Sequence, residues 1–255
     1  MRYITPEHCI RSRLKGRTAP SWAAGVLVFR DHPHSQEALK PFDRVRPVRY
    51  RMLYNLTDEA FEPLVFETEV AGQTIAIVTR CVWGGPQTAI VVEELACLGV
   101  KVLIGCGVAG SLEADLPQGT FVVADSAIPT DGTSRSYGAA TNQTADSTLV
   151  QAAIASAANV GCEMRCVTAV TVDALYRETP ALIDDLRRRG GQIINMETSP
   201  LYTVSAACGV RSLWMGYISD CLVDGKWHDW FADLGQANKR AAHIVRIILE
   251  RVLSE

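Results

Sequence analysis

The chain has 255 residues, 48% of them hydrophobic and 21% charged, and its 25 Lys and Arg against 28 Asp and Glu leave a formal charge of −3. This is a globular composition, expected as a single domain over residues 1–255 with a polar lead-in over 1–23. The balanced charge, free of long like-charge blocks, gives no footing for nucleic acid or an anionic membrane surface, and no stretch reaches the ~18 apolar residues of a membrane span.

Residues 1–12 contain no apolar core of signal-peptide length, so the cytoplasm is the expected compartment. The eight cysteines fit a reducing environment, since Cys97, Cys106, Cys162, Cys166 and Cys208 sit in apolar runs and no CxxC pair occurs. They read as small hydrophobes rather than as a zinc site or a disulfide framework.

Gly25 to Phe29 is an apolar run of strand length, followed over 31–63 by an irregular stretch rich in Pro, His and Arg. Leu64–Glu69 and Thr74–Thr79 are β-branched arms around Gly72, which predicts a hairpin. Pro86 to Leu98 is helical in period and Gly99 ends it. Val100–Cys106 predicts a buried strand running into a glycine-rich turn over Gly105–Gly110, and Thr120–Ala124 predicts the next strand. Residues 129–146 read as a polar loop. Asp146 or Ser147 caps a helix through about Asn159. Beyond it a strand is expected over Met164–Val170, a helix over Pro180–Arg189, a short strand over Gln192–Asn195 and a helix over Glu197–Cys208. A last strand over Ser212–Ile218 precedes a closing helix over about 231–253. No internal repeat emerges. The alternation predicts an α/β layer fold around a mixed, largely parallel sheet, with ligands at the carboxyl ends of strands.

Four segments after predicted strands are too polar or too small for their surroundings: Trp83-Gly84-Gly85-Pro86, Gly105 to Gly110 with Gly107, Asn195-Met196-Glu197, and Ser219-Asp220. A glycine-rich turn before a helix can bring backbone N–H groups to an anion or can be a tight turn alone. Glu197, at a helix start, is either a carboxylate favoured by the helix dipole or a bidentate acceptor for a sugar diol. Asp220, at the mouth of a strand, is either a capping residue or an acid tuned by partial desolvation.

In their order along the chain, Gly84-Gly85-Pro86, Leu103–Leu112, Asp131-Gly132-Thr133-Ser134, Asn195-Met196-Glu197 and Ser219-Asp220 resemble the nucleoside phosphorylase superfamily, over roughly residues 24–250. That family holds purine nucleoside phosphorylases, uridine phosphorylases and the methylthioadenosine/adenosylhomocysteine nucleosidases. The resemblance implies a three-layer α/β sandwich around a partly closed mixed sheet, cleavage of an N-glycosidic bond without metal or organic cofactor, and homodimers or hexamers built from dimers. It makes Glu197 the acceptor for ribose hydroxyls with Met196 against the sugar, and Asp220 the acid that protonates N7 of a departing purine. Trp83, Leu175, Tyr176 and Ser219 are the expected base pocket.

The sequence departs from the phosphorylases at the anion pocket. Gly105 stands where they carry an Arg, Val108 stands where they carry Ser or Thr, and their Gly-Asp-Pro-x-Arg loop is missing. A phosphate without those donors forfeits several charge-assisted hydrogen bonds, each worth roughly 1.5–3 kcal/mol. The expectation is therefore a nucleosidase using water, with Asp31 orienting it. Phosphorolysis is the alternative, with Arg30, Arg49 and Arg51 as possible anion ligands, and a nucleoside-binding relative without turnover is the third reading.

Overall fold

The computed structural model describes residues 3–30, 34–48, 53, 64–81, 83–229 and 232–254. The apolar runs of the sequence become strands: β1 (Ala24–Val28), β2 (Arg46–Pro47), β3 (Val65–Val70), β4 (Gln73–Val78), β5 (Val102–Ser111), β6 (Phe121–Pro129), β7 (Gln143–Thr144), β8 (Met164–Thr171), β9 (Ile193–Asn195), β10 (Arg211–Val223) and β11 (Lys226–His228). They join one sheet of order β11-β10-β6-β8-β9-β5-β1-β4-β3-β2, with β7 on β6 and a further β10–β5 pairing. That last pairing closes β5, β10, β6, β8 and β9 into a ring, from which β1, β4, β3 and β2 extend. The sheet is mixed: β5 runs parallel to β1 and β10, while β9 pairs with it antiparallel.

Alternation along each strand sends side chains to opposite faces. Leu27, Phe29, Leu103, Ala109 and Trp214 join the core that includes Leu95, Leu201 and Tyr202. Val26, Val28, Ile104, Cys106, Met215 and Tyr217 join the core that includes Val150, Ala153, Ile244 and Ile248. Helices α1 (Pro6–Leu14), α2 (Gly85–Cys97), α3 (Gly132–Ser136) and α6 (Thr198–Ala207) therefore lie on one side. Helices α4 (Ser147–Asn159) and α7 (Leu234–Leu253) lie on the other. Helix α5 (Pro180–Arg188) seals a smaller cluster of Ile183 and Leu186 with Val170 and Ile194. Both faces being covered explains why the strands read as unbroken apolar runs.

Several expectations are corrected. The lead-in carries α1, capped by Thr5 and anchored by buried Ile10 and Leu14; its charged residues hide a short apolar face. The predicted loop 129–146 holds α3, whose first turn is capped by Asp131 Oδ1 accepting from Ser134 N at 2.7 Å, and β7. The supposed turn at Gly105–Gly110 is the second half of β5, so these glycines serve close packing rather than chain reversal. The last strand runs past Ile218 as far as Val223. The hairpin, α2, α4 and α7 fall close to where the sequence put them.

Candidate active site

The pairing of β5 opens at its middle. On one edge β10 accompanies it from Val102 to Ser111, but on the other β1 pairs only with Val102–Cys106 and β9 only with Gly110 and Ser111. At this divergence lies a pocket lined by Trp83, Val108, Ala109, Gly110, Leu175, Glu178, Ile194, Asn195, Met196, Glu197, Ser219 and Asp220. It is at the carboxyl ends of parallel strands, where such sheets hold ligands.

Glu197 occupies the N-cap position of α6 without a side-chain capping hydrogen bond and is 2% exposed. Its Oε1 accepts from Trp214 Nε1 at 3.1 Å and its Oε2 from the Met196 N–H at 3.1 Å. Burial pushes its carboxyl up to about 7, against the pull of those two donors and of the Arg30 guanidinium. Asn195 braces the same turn: its Nδ2 donates to Thr198 Oγ1 at 2.6 Å and its Oδ1 accepts from Thr198 N at 3.3 Å. Asp220 is aimed by a different device. The β10–β5 register slips between Ile218 and Asp220, a bulge at Ser219 that turns the next side chain into the pocket. Ser219 Oγ donates to Asp220 Oδ1 at 2.6 Å and also approaches Ala109 O at 3.3 Å.

Gly110 of β5 gives way to Leu222 and Ile194, which a Cβ would meet at 2.9 and 3.1 Å, while Asp220 Oδ2 would stand at an ordinary 3.4 Å. Gly107 makes room for Glu197, whose Oε1 a Cβ would meet at 3.1 Å. Gly105 faces the same side lower down, where a Cβ would meet Leu201 Cδ2 at 2.8 Å and Trp214 Cδ1 at 3.1 Å. The Trp214 indole fills the space over Gly105 and Gly107 and ends on Glu197.

Of the expected site residues, Trp83, Leu175, Met196, Glu197, Ser219, Asp220 and Gly110 line the one pocket, with Gly107 beneath Glu197. Tyr176 does not: it is 97% exposed, because the 3-10 turn Leu175–Arg177 points its neighbour Leu175 inward instead. Gly84 and Gly85 also stand aside. Gly84 takes a φ of +119° at the start of α2, and Gly85 lets α2 approach α3, since a Cβ there would sit 2.6 Å from Thr133 Oγ1. Arg30 stands apart from this pocket. Strand alternation carries it to the α7 face, where its Nη2 donates to Gly107 O at 2.6 Å and it lines a separate cavity. Asp31, Arg49 and Arg51 lie outside the described residues.

Two residues escaped the sequence reading. Glu178 lines the pocket just before the Thr179 cap of α5, and burial, with the charge of Asp220, pushes its carboxyl up to about 7. Trp227, on β11, donates from Nε1 to Asp220 Oδ2 at 2.9 Å. The only hint of the first was an acid immediately ahead of a Thr-Pro helix start; the second had none.

Comparison with known proteins gives a match to the model of the phosphorylase superfamily over residues 49–254. A guanosine phosphorylase of Halorubrum lacusprofundi is 32% identical over 143 residues, which cover 56% of this chain and 57% of that protein. The chain thus spans little more than half the length of that relative. A uridine phosphorylase of Thermococcus kodakarensis is 29% identical over 219 residues, covering 73% of this chain and 79% of its own. Among solved structures, a purine nucleoside phosphorylase from Toxoplasma gondii in complex with immucillin-H superposes with a TM-score of 0.76 at 22% identity, covering 91% of this chain and 92% of that one.

Proposed function

Because the chain belongs to the phosphorylase superfamily, we propose that it cleaves the N-glycosidic bond of a purine nucleoside. The observation that carries this reading is the convergence, in one pocket, of Glu197 with Asp220 between the apolar walls Trp83, Leu175 and Met196. Glu197 in its ionised form accepts both ribose hydroxyls, which a carboxylate can do in bidentate fashion. At the other end Asp220 gives a proton to N7 as the C1′–N9 bond breaks and its electron pair passes to the base. Glu178, beside Asp220, is an acceptor for a base N–H when ionised and a donor when protonated. The sugar passes through an oxocarbenium-like state, stabilised by placement and electrostatics rather than by a covalent link to the protein.

For the acceptor we take phosphate ahead of water, reversing the order drawn from the sequence, because the named relatives are phosphorylases. Phosphate oxygen attacks C1′ on the face opposite the base, giving ribose 1-phosphate. Water remains the second reading on one specific observation: the wall at Gly105 is filled by Leu201, Trp214 and Phe29, which among the described residues leaves no cation there for a dianion.

The test is a nucleoside panel run with and without inorganic phosphate, with products identified by mass spectrometry. Ribose 1-phosphate in step with free base supports the first reading, and free ribose in phosphate-free buffer supports the second. No free base from any nucleoside would reject both.

A further inference from the structure

On the sheet face opposite the nucleoside pocket, a cavity of about 20 Å³ is lined by Val26, Val28, Arg30, Ala38, Cys106, Asn238, Ala241, Ala242 and Val245. All but two of these are apolar or a thiol. The two exceptions are buried, Arg30 at 7% and Asn238 at 5% exposed, and each brings an unsatisfied donor. Arg30 places Nη2 on Gly107 O and stacks over the Tyr217 ring, 4.7 Å from its centroid, yet its Nη1 has no hydrogen-bond partner. Asn238 accepts the Tyr217 hydroxyl on Oδ1 at 3.0 Å, which fixes the amide, and its Nδ2 has no partner either.

A guanidinium is never deprotonated in a protein, and burying it without a counter-charge is costly. Among the described residues no carboxylate lines the cavity, and Glu197, which feels the Arg30 charge, lies in the nucleoside pocket on the other face. Glu37, next to the wall residue Ala38, takes Lys40 on Oε1 at 2.6 Å and buries Oε2 without a hydrogen-bond partner, but it does not line the cavity. The Cys106 thiol cannot serve as a thiolate, because burial drives its ionisation upward despite Arg30. A water molecule would satisfy the N–H groups but leave the charge.

We propose that Arg30 and Asn238 form a binding site for a single monoatomic anion, a halide of chloride size, behind the β5 glycines. The cavity has room for about one water-sized body, and its apolar walls offer no donors for the several oxygens of an oxyanion. The site is distinct from the nucleoside pocket, because it lies on the α7 face and shares no lining residue with it. The proposal therefore stands whether or not nucleoside cleavage is observed.

Thermal unfolding in sodium chloride, sodium bromide, sodium gluconate and sodium phosphate at matched ionic strength tests it, together with anomalous scattering from crystals grown in bromide. The expected result is a saturable rise of about 2–5 °C in Tm with chloride or bromide over gluconate, and a bromine peak within about 3.5 Å of Arg30 Nη1. Asn238→Asp keeps the acceptor for Tyr217 and brings a built-in counter-charge, so it should fold and lose the halide shift. Arg30→Met should lose it too, and if that variant fails to fold, Asn238→Asp carries the test. Equal Tm in chloride and gluconate with only water density in the cavity overturns the site. A shift with phosphate equal to that with chloride overturns the size assignment.

Discussion

The carboxylate of Glu197 and the wall where an acceptor would approach both pack against β5, but by opposite means. Under Glu197, β5 retreats to glycine at Gly107 so that charge can be brought close. At Gly105 the glycine makes room for an indole and two other apolar side chains. One stretch of small residues thus yields a polar chamber at its far end and a sealed core a few residues earlier. The lesson is that a glycine run tells where backbone is approached closely, while the approaching group comes from strands and helices distant in sequence.

The sharpest way to break the carboxylate side is Asp220→Asn, which should lower turnover of purine nucleosides by about ten- to ten-thousandfold. A nucleoside already methylated at N7 needs no proton there and should be spared. Near wild-type kcat/KM for unmethylated substrates would remove Asp220 from the chemistry.

Glu197→Gln should cost about ten- to hundredfold in kcat/KM for ribosides, as a charged bidentate acceptor becomes a neutral one. In the wild type, riboside affinity should rise as pH increases through about 7, where Glu197 ionises, and the Gln variant should lose that limb. Stability moves the other way. The folded state holds this proton up to about 7 while the unfolded chain releases it near 4.5, so the contribution is full below 4.5 and is lost as pH rises to about 7. Melting curves of Glu197→Gln should accordingly gain on the wild type from pH 5 to pH 8; a constant difference would show that Glu197 is not held protonated.

On the sealed side, Gly105→Ala forces a methyl against Leu201 and Trp214 and should cost about 1–3 kcal/mol, read in chemical denaturation. A neutral result would mean the indole has space to give and that a cation could be accommodated there. The smallest effect is expected from Trp227→Phe. Removing the N–H on Asp220 while keeping the ring should lower kcat about threefold, on the scale of one modest hydrogen bond, with KM unchanged and the N7-methylated nucleoside unaffected. A loss confined to KM would make Trp227 a mere wall of the pocket.

Much of this was legible beforehand because the central strands β1, β5 and β10 are buried on both faces and several helices have a cap or stop that the sequence displays, as with Asp146 ahead of α4 and Gly99 after α2. Glu197 and Asp220 were legible as charges placed against apolar runs. What the sequence hid was mostly relational. Small residues from Gly105 to Gly110 look alike whether the chain turns or a neighbour presses in. The parity that sends Arg30 away from the pocket follows once β1 is fixed in register, Val26 and Val28 already facing α7. The bulge at Ser219 leaves no mark in a run of strand-forming residues, and the Trp227 hydrogen bond exists only after β11 folds back onto β10.

The ring closure has a consequence for when the molecule becomes competent during folding. The β5–β10 pairing sets Val102 beside Arg211 and Ser111 beside Cys221, so the longest parallel contact of the barrel joins segments more than a hundred residues apart. Contacts of such sequence separation form late, after much loop-closure entropy has been spent. Until β10 docks, Trp214 has no groove to fill, Glu197 lacks its indole donor, and Asp220 is not yet opposite Gly110. A chain emerging residue by residue can assemble the hairpin and α2 early, but its binding chamber appears only when the final strands of the ring arrive, all at once.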